Sequence, residues 1–184
     1  MRAGRRLAWL FGAAWALLST ALARPAEAQI SSWVSAEAGP SFIDEGEGME
    51  SQASLLLKGG VGTSPERSFV LGGLFHSQTH FGRGTDLGLL LRVATQGYTL
   101  GRFGLALDLG GYERFWGRGS EGGLGALVLG APWGLTLSLG GGMGTNDARH
   151  ASIVLGFDFA RLTAFRLSGE SWFPNPHPAY RPAE

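Results

Sequence analysis

Four polar residues that stand close together hold most of the reactive chemistry in this chain: His76, Gln78, His80 and Asp86. The first three alternate along a strand-like stretch, which places them on one face. If the Gly82–Thr85 turn closes a hairpin, His80 falls opposite Asp86 and Leu74 opposite Arg92. A His–Asp pair can orient an imidazole for base catalysis, and His76 with His80 could ligate a metal. The plainer expectation, preferred here, is that they belong to a network of interior ions and hydrogen bonds with no metal and no cofactor. Ser77 adjoins His76 but points to the opposite face, so that pair makes no nucleophilic relay. The chain has no cysteine, which removes thiolate nucleophiles, Cys-ligated zinc, disulfides and a lipid-anchored amino-terminal Cys. Gly140-Gly141-Gly142 lacks the following helix and the Lys-Ser/Thr spacing of a phosphate loop, which points to a steric role. The acidic stretch Asp44, Glu45, Glu47 and Glu50 reads as a solvated loop rather than a calcium site. Arg83, Arg114, Arg118 and Arg149 lie at or beside loops of one common end, where they would meet anionic lipid phosphates or water.

The elements that must position these groups are strands. After Ala28 no stretch keeps a helical period, whereas two-residue alternation recurs between clusters of Gly, Asp, Asn, Pro and Ser. Leu87, Leu89, Leu91 and Val93 form the clearest stripe, followed by Phe103 to Leu109, Leu135 to Leu139, and Ile153, Leu155, Phe157 and Phe159. Eight strands are expected near 30–42, 51–61, 68–80, 86–95, 102–114, 122–130, 134–144 and 150–166. A ninth or tenth remains open between 162 and 173. The second face of these strands carries Glu37, Lys58, His76, Gln78, His80, Asp86, Arg92, Asp108, Asp158 and Arg166, set among Gly, Ala, Ser and Thr. A water-exposed strand face would carry more Lys, Glu and Asn and fewer glycines. Glycine instead makes room inside a narrow barrel crossed by large ionic side chains. The expected arrangement therefore has the Leu and Phe stripes facing outward to lipid and these polar and charged groups facing inward.

Composition agrees. Among 184 residues there are 31 glycines, 44% hydrophobic and only 16% charged residues, with a formal net charge of zero. That is too apolar for a disordered chain and too little basic for a nucleic-acid binder. Phe69 with Phe81, and Phe103 with Phe115, bracket two of the strands at equal parity. Twelve residues at about 3.3 Å each, tilted near 40°, cover about 30 Å, the height of an apolar band with an aromatic girdle at each edge. Glu113 shares parity with Phe115, so either the band ends before it or a bulge at Gly110-Gly111 switches the faces. At the amino terminus, Arg2, Arg5 and Arg6 precede an apolar run from Leu7 to Ala23, and Ala26-Glu27-Ala28 gives a small-x-small cleavage site. Residues 1–28 are expected to be a cleaved signal peptide, leaving a slightly acidic chain whose only lysine is Lys58.

In this pattern the chain resembles the small eight-stranded outer-membrane β-barrels of the OmpA transmembrane-domain type. The resemblance spans the chain after residue 28 and is one of pattern, without a diagnostic motif. Ile153-Val154-Leu155-Gly156-Phe157-Asp158-Phe159 looks like the closing strand that the barrel-assembly machinery reads in such families, although here the chain continues to Glu184. The resemblance implies an all-β, closed, antiparallel, up-and-down transmembrane barrel over 29–167, followed by a Pro-rich extended tail over 168–184. The expected protein is exported to the outer membrane and non-enzymatic. Its interior is filled by side chains, and its partners are outer-membrane lipids and the assembly machinery. Two alternatives stay open: a lipid-modifying barrel enzyme using His76, His80 and Asp86, and a secreted lipocalin-like barrel with the faces inverted.

Overall fold

The computed structural model describes residues 30–46 and 48–163. The expected signal peptide over 1–28, the expected tail over 168–184, Glu47 and Arg166 lie outside the described residues. Eight strands form a closed barrel: β1 (Ser31–Asp44), β2 (Met49–Gly62), β3 (Phe69–His80), β4 (Gly84–Thr95), β5 (Gly104–Arg114), β6 (Ser120–Gly130), β7 (Leu135–Gly144) and β8 (Arg149–Asp158). Each is antiparallel to the next, and β8 returns to pair with β1. The expected all-β, eight-stranded, up-and-down barrel is thus what the chain forms. With an even strand number, the start of β1 and the end of β8 share one end, called the base; the opposite end is the rim. Two short helices, α1 (Gln96–Thr99) and α2 (Phe159–Thr163), lie at the base.

Alternation decides the faces. Leu105, Leu107 and Leu109 are exposed while Ala106 and Asp108 are buried, and Leu89, Leu91 and Val93 are exposed around buried Leu90 and Arg92. Asp108 is 0% and Leu107 43% exposed. The inverted, lipocalin-like arrangement required the reverse and is not what the chain adopts. Direct cross-strand pairing builds an outward apolar row, Leu71–Val93–Leu107–Leu127–Leu139–Ile153, that crosses six successive strands. Phe69, Phe81, Phe103 and Phe115 are all exposed at strand ends. β5 keeps one register through Gly110 and Gly111, so no bulge switches its faces and Glu113 stands outward beside the rim.

The interior glycines are matched to large neighbours. Gly72 lies beneath the Trp33 ring, where a Cβ would stand 2.5 Å from Cζ3, and Gly84 beneath Trp116. Gly142 accommodates the His150 ring, and Gly130 both Tyr98 and the Arg161 guanidinium. A barrel of this strand number has room only for its own side chains. Each bulky or ionic group therefore needs a bare position on a facing strand. Within Gly140-Gly141-Gly142 it is Gly142, beneath His150, that serves this steric purpose, while Gly141 faces outward.

Two expectations are corrected. In the β3–β4 hairpin His80 pairs with Gly84, Gln78 with Asp86, Gly72 with Arg92 and Leu74 with Leu90, a shift of two residues from the expected register. The turn is Phe81-Gly82-Arg83, with Gly82 at φ +83° and Arg83 N–H donating to His80 C=O, rather than 82–85. A two-residue shift preserves which face each side chain takes, so the error changed partners without changing the interior. The last strand ends at Asp158 instead of continuing to 166. The Asp158 carboxylate accepts the Arg161 N–H at 3.2 Å, the bond of an N-cap, and opens α2.

Candidate functional site

The buried ionic groups gather in two clusters along the barrel axis. Nearer the base, Arg92 and Asp108 are direct cross-strand partners on β4 and β5. The guanidinium donates twice to the carboxylate, Nε to Oδ1 at 2.6 Å and Nη2 to Oδ2 at 2.7 Å. It also lies 5.2 Å from the ring centres of Trp33 and Tyr98. Lys58 reaches across from β2, pairing with Glu37 Oε1 at 2.8 Å and donating to Ser138 Oγ at 2.9 Å on β7. Its Nζ stands 4.0 Å from Asp108, which joins the two pairs. Ser35 donates to the same Glu37 oxygen.

The base is closed by Arg161 of α2. Its guanidinium donates to the carbonyls of Leu135, Arg102 and Ala131 at 3.1–3.2 Å, so one side chain ties together the β4–β5 and β6–β7 connections. It stacks 4.4 Å from the Tyr98 ring. Tyr98 is held by α1, whose N-cap Thr95 accepts the Tyr98 N–H. Burial pushes the Tyr98 phenol up to about 12, despite the pull of Arg92 and Arg161, so it stays a hydrogen-bonding neutral group.

Nearer the rim, Asp86 is the hub. It accepts from Arg114 Nε at 3.1 Å and Nη2 at 3.0 Å, and from Trp116 Nε1 at 2.8 Å. His80 Nε2 lies 3.3 Å from Asp86 Oδ2, and its Nδ1 lies 2.9 Å from Ser41 Oγ. The two-residue register shift makes the His80–Asp86 contact diagonal rather than directly opposite. Above this cluster, Glu45 approaches both Arg114 and Arg83, and Arg83 also pairs with Glu50. Arg114, expected beside a loop, is buried on the inward face.

Of the residues singled out in the sequence, Glu37, Lys58, His76, Gln78, His80, Asp86, Arg92, Asp108 and Asp158 are all buried. The structure brings Glu37, Lys58, Arg92 and Asp108 into one cluster and His80 and Asp86 into the other. Gln78 donates to Ser54. His76 sits two inward positions deeper than His80, opposite Lys58, and contacts neither ionic cluster by a hydrogen bond. Among the described residues, no three His, Asp or Glu side chains gather as a metal site requires. Sequence reasoning missed Ser41, Trp33, Arg114, His150 and Arg161. The first four could have been found by parity alone, since each keeps step with an inward residue of its own strand. With Arg114 and Arg161 included, the buried ions among the described residues are four acids, Glu37, Asp86, Asp108 and Asp158, and four bases, Lys58, Arg92, Arg114 and Arg161.

Ser41, His80 and Asp86 stand in the order of a hydroxyl–imidazole–carboxylate relay. Its surroundings oppose catalysis. Ser41 is 0% exposed, and Asp86 is committed to Arg114 and Trp116. The space at the mouth above, lined by Ile43, Glu45 and Arg83, is about 70 Å³. That is room for a water or two rather than for an ester with its acyl chain. What the arrangement does best is satisfy charges that a barrel this narrow cannot leave unpaired. Comparison with protein-family models, with curated proteins and with solved structures found no match.

Proposed function

We propose that the protein is a small outer-membrane β-barrel, exported by cleavage of residues 1–28, that serves as a structural, lipid-contacting element of the envelope. One observation carries this reading: the strands present leucine, valine and phenylalanine outward over the whole circumference while the buried ion pairs face the axis. Water favours the opposite distribution, and hydrocarbon favours this one. The strands, 10–14 residues long, suit a tilted crossing, for which about 9–11 residues are needed. The apolar band then ends before Glu113 at the rim. Two ion-pair clusters and the Arg161 closure fill the axis, which argues against bulk conduction.

The test is cell fractionation with heat-modifiable gel migration. The expected result is recovery in the outer-membrane fraction, extraction only with detergent, and faster migration before boiling than after. A protein recovered soluble from the periplasm overturns the proposal. The second reading, a lipid-modifying enzyme, is favoured only by the Ser41–His80–Asp86 relay. Mass spectra of lipid A from cells with and without the gene are expected to be identical, and a changed acyl pattern would establish the enzyme instead.

A further inference from the structure

Over β6, β7 and β8, near the rim, the large outward side chains give way to a groove of about 610 Å³ whose floor includes Gly123, Gly141 and Ala151, with Met49 and Arg149 also lining it. Pairing makes this floor continuous, since Gly125 faces Gly141 and Gly141 faces Ala151 across the strands. Met143 rises directly beside it, 71% exposed, between Gly123 on β6 and Arg149 on β8. The charges flanking the groove are of opposite sign. Glu113 and Glu121 are directly opposed on the outward face of β5 and β6, an unfavourable pairing of like charges. Arg149 stands outward on the other flank, and none of the three has an ion-pair partner among the described residues.

We infer that this face binds a second copy of the chain around a two-fold axis parallel to the barrel. A projecting side chain beside a hollow is self-complementary under such an axis, because each copy offers the same knob to the same hole. Met143 of each copy enters the partner's glycine-floored groove, and methionine adapts readily to an irregular hollow. Bare backbone on both sides permits the close approach on which association within a membrane depends. The rotation carries Arg149 of one copy toward Glu113 and Glu121 of the other, so the two flanks complement each other. A lipid acyl chain fits the hollow equally well in size. Its anionic headgroup, however, would meet one cation, Arg149, and the Glu113–Glu121 pair on the opposite flank, whereas a second copy pairs both flanks at once, which favours protein as the occupant. The inference rests on the membrane reading above.

The test uses the full chain in its membrane, where the absence of cysteine makes single thiols unambiguous. Leu139→Cys, outward on β7 beside the groove but not lining it, is expected to give a cross-linked dimer with a short bifunctional thiol reagent, whereas Leu71→Cys on the opposite wall gives none. A Cβ at Gly123 would meet nothing within 4 Å, so Gly123→Leu leaves the barrel intact while filling the hole. In the Leu139→Cys background it is expected to lower the cross-linked fraction about tenfold, as is Met143→Ala, which removes the knob. Arg149→Glu should lower it too, and Glu121→Arg added to Arg149→Glu should restore it. Heat-modifiable migration of each variant in the membrane fraction reports the barrel separately. An intact membrane barrel that yields no Leu139→Cys dimer overturns the inference, as do cross-links indifferent to Gly123→Leu. Lipid recovered with a strictly monomeric barrel does the same and assigns the groove to an acyl chain.

Discussion

Replacing Asp108 with alanine is expected to destabilise the barrel by about 3–5 kcal/mol, the cost of leaving a buried charge without its partner. Asp108 accepts both bonds of the Arg92 fork and stands 4.0 Å from Lys58. Its loss leaves two cations with Glu37, which is held by Lys58, and Asp158, which acts on Arg92 only without a hydrogen bond. Arg92 cannot turn toward water, because Trp33 and Tyr98 flank its guanidinium and α2 closes the base beneath it. The companion substitution separates the pair from its parts. Arg92→Met with Asp108→Leu removes both charges at similar volume and is expected to recover most of the loss, since an ion pair replaced by apolar groups is often nearly neutral. Urea unfolding of the reconstituted protein, followed by tryptophan fluorescence, reads both numbers. A loss below about 1 kcal/mol for Asp108→Ala would mean that Arg92 is already solvated, which contradicts a plugged interior.

Leu107→Arg should cost about 2–4 kcal/mol in a lipid bilayer, the value for a cation placed at mid-depth on a barrel's outer wall. Leu107 lies in the middle of the outward row, with Val93 and Leu127 as its cross-strand neighbours. No inward charge is disturbed, so the effect comes from the surroundings of the outer face alone. In a water-soluble barrel the same change at an exposed site would stay within about 0.5 kcal/mol. Leu107→Ala provides the control for lost side-chain area. The natural acid on this face of β5, Glu113, sits at the rim end, consistent with the depth dependence expected of such a cost.

The faces of the strands were legible in the sequence because the period of two is set by covalent geometry and needs no knowledge of neighbours. Asp108 between Leu107 and Leu109 already declares which way it points. The register of β3 on β4 was not legible in the same way. Glycine occupies both 82 and 84, and either can serve a tight turn; the choice of Gly82 accompanies Trp116 packing over Gly84, a contact from the β5–β6 connection, remote in the sequence. The end of β8 was hidden for a similar reason. Thr163 keeps the outward parity of the strand, but Arg161 finds three carbonyl acceptors beneath the barrel, and those come from connections far away in the chain. The local sign was present in Asp158, an N-cap residue before Phe159-Ala160-Arg161. The site was partly legible: acids and bases of inward parity were visible, while the pairing of Asp86 with Arg114 depended on reading parity through to the strand's last residue.

The most direct measurement of which environment surrounds the outer wall is quenching of a fluorophore on single cysteines placed in turn at the outward positions Leu105, Leu107, Leu109 and Glu113, in vesicles. With a quencher carried on the lipid chains, strong quenching is expected at 105, 107 and 109 and little at 113, beyond the apolar band, a pattern that a water-soluble quencher reverses. Quenching of positions 105, 107 and 109 by the water-soluble agent, with none from lipid, would contradict the account.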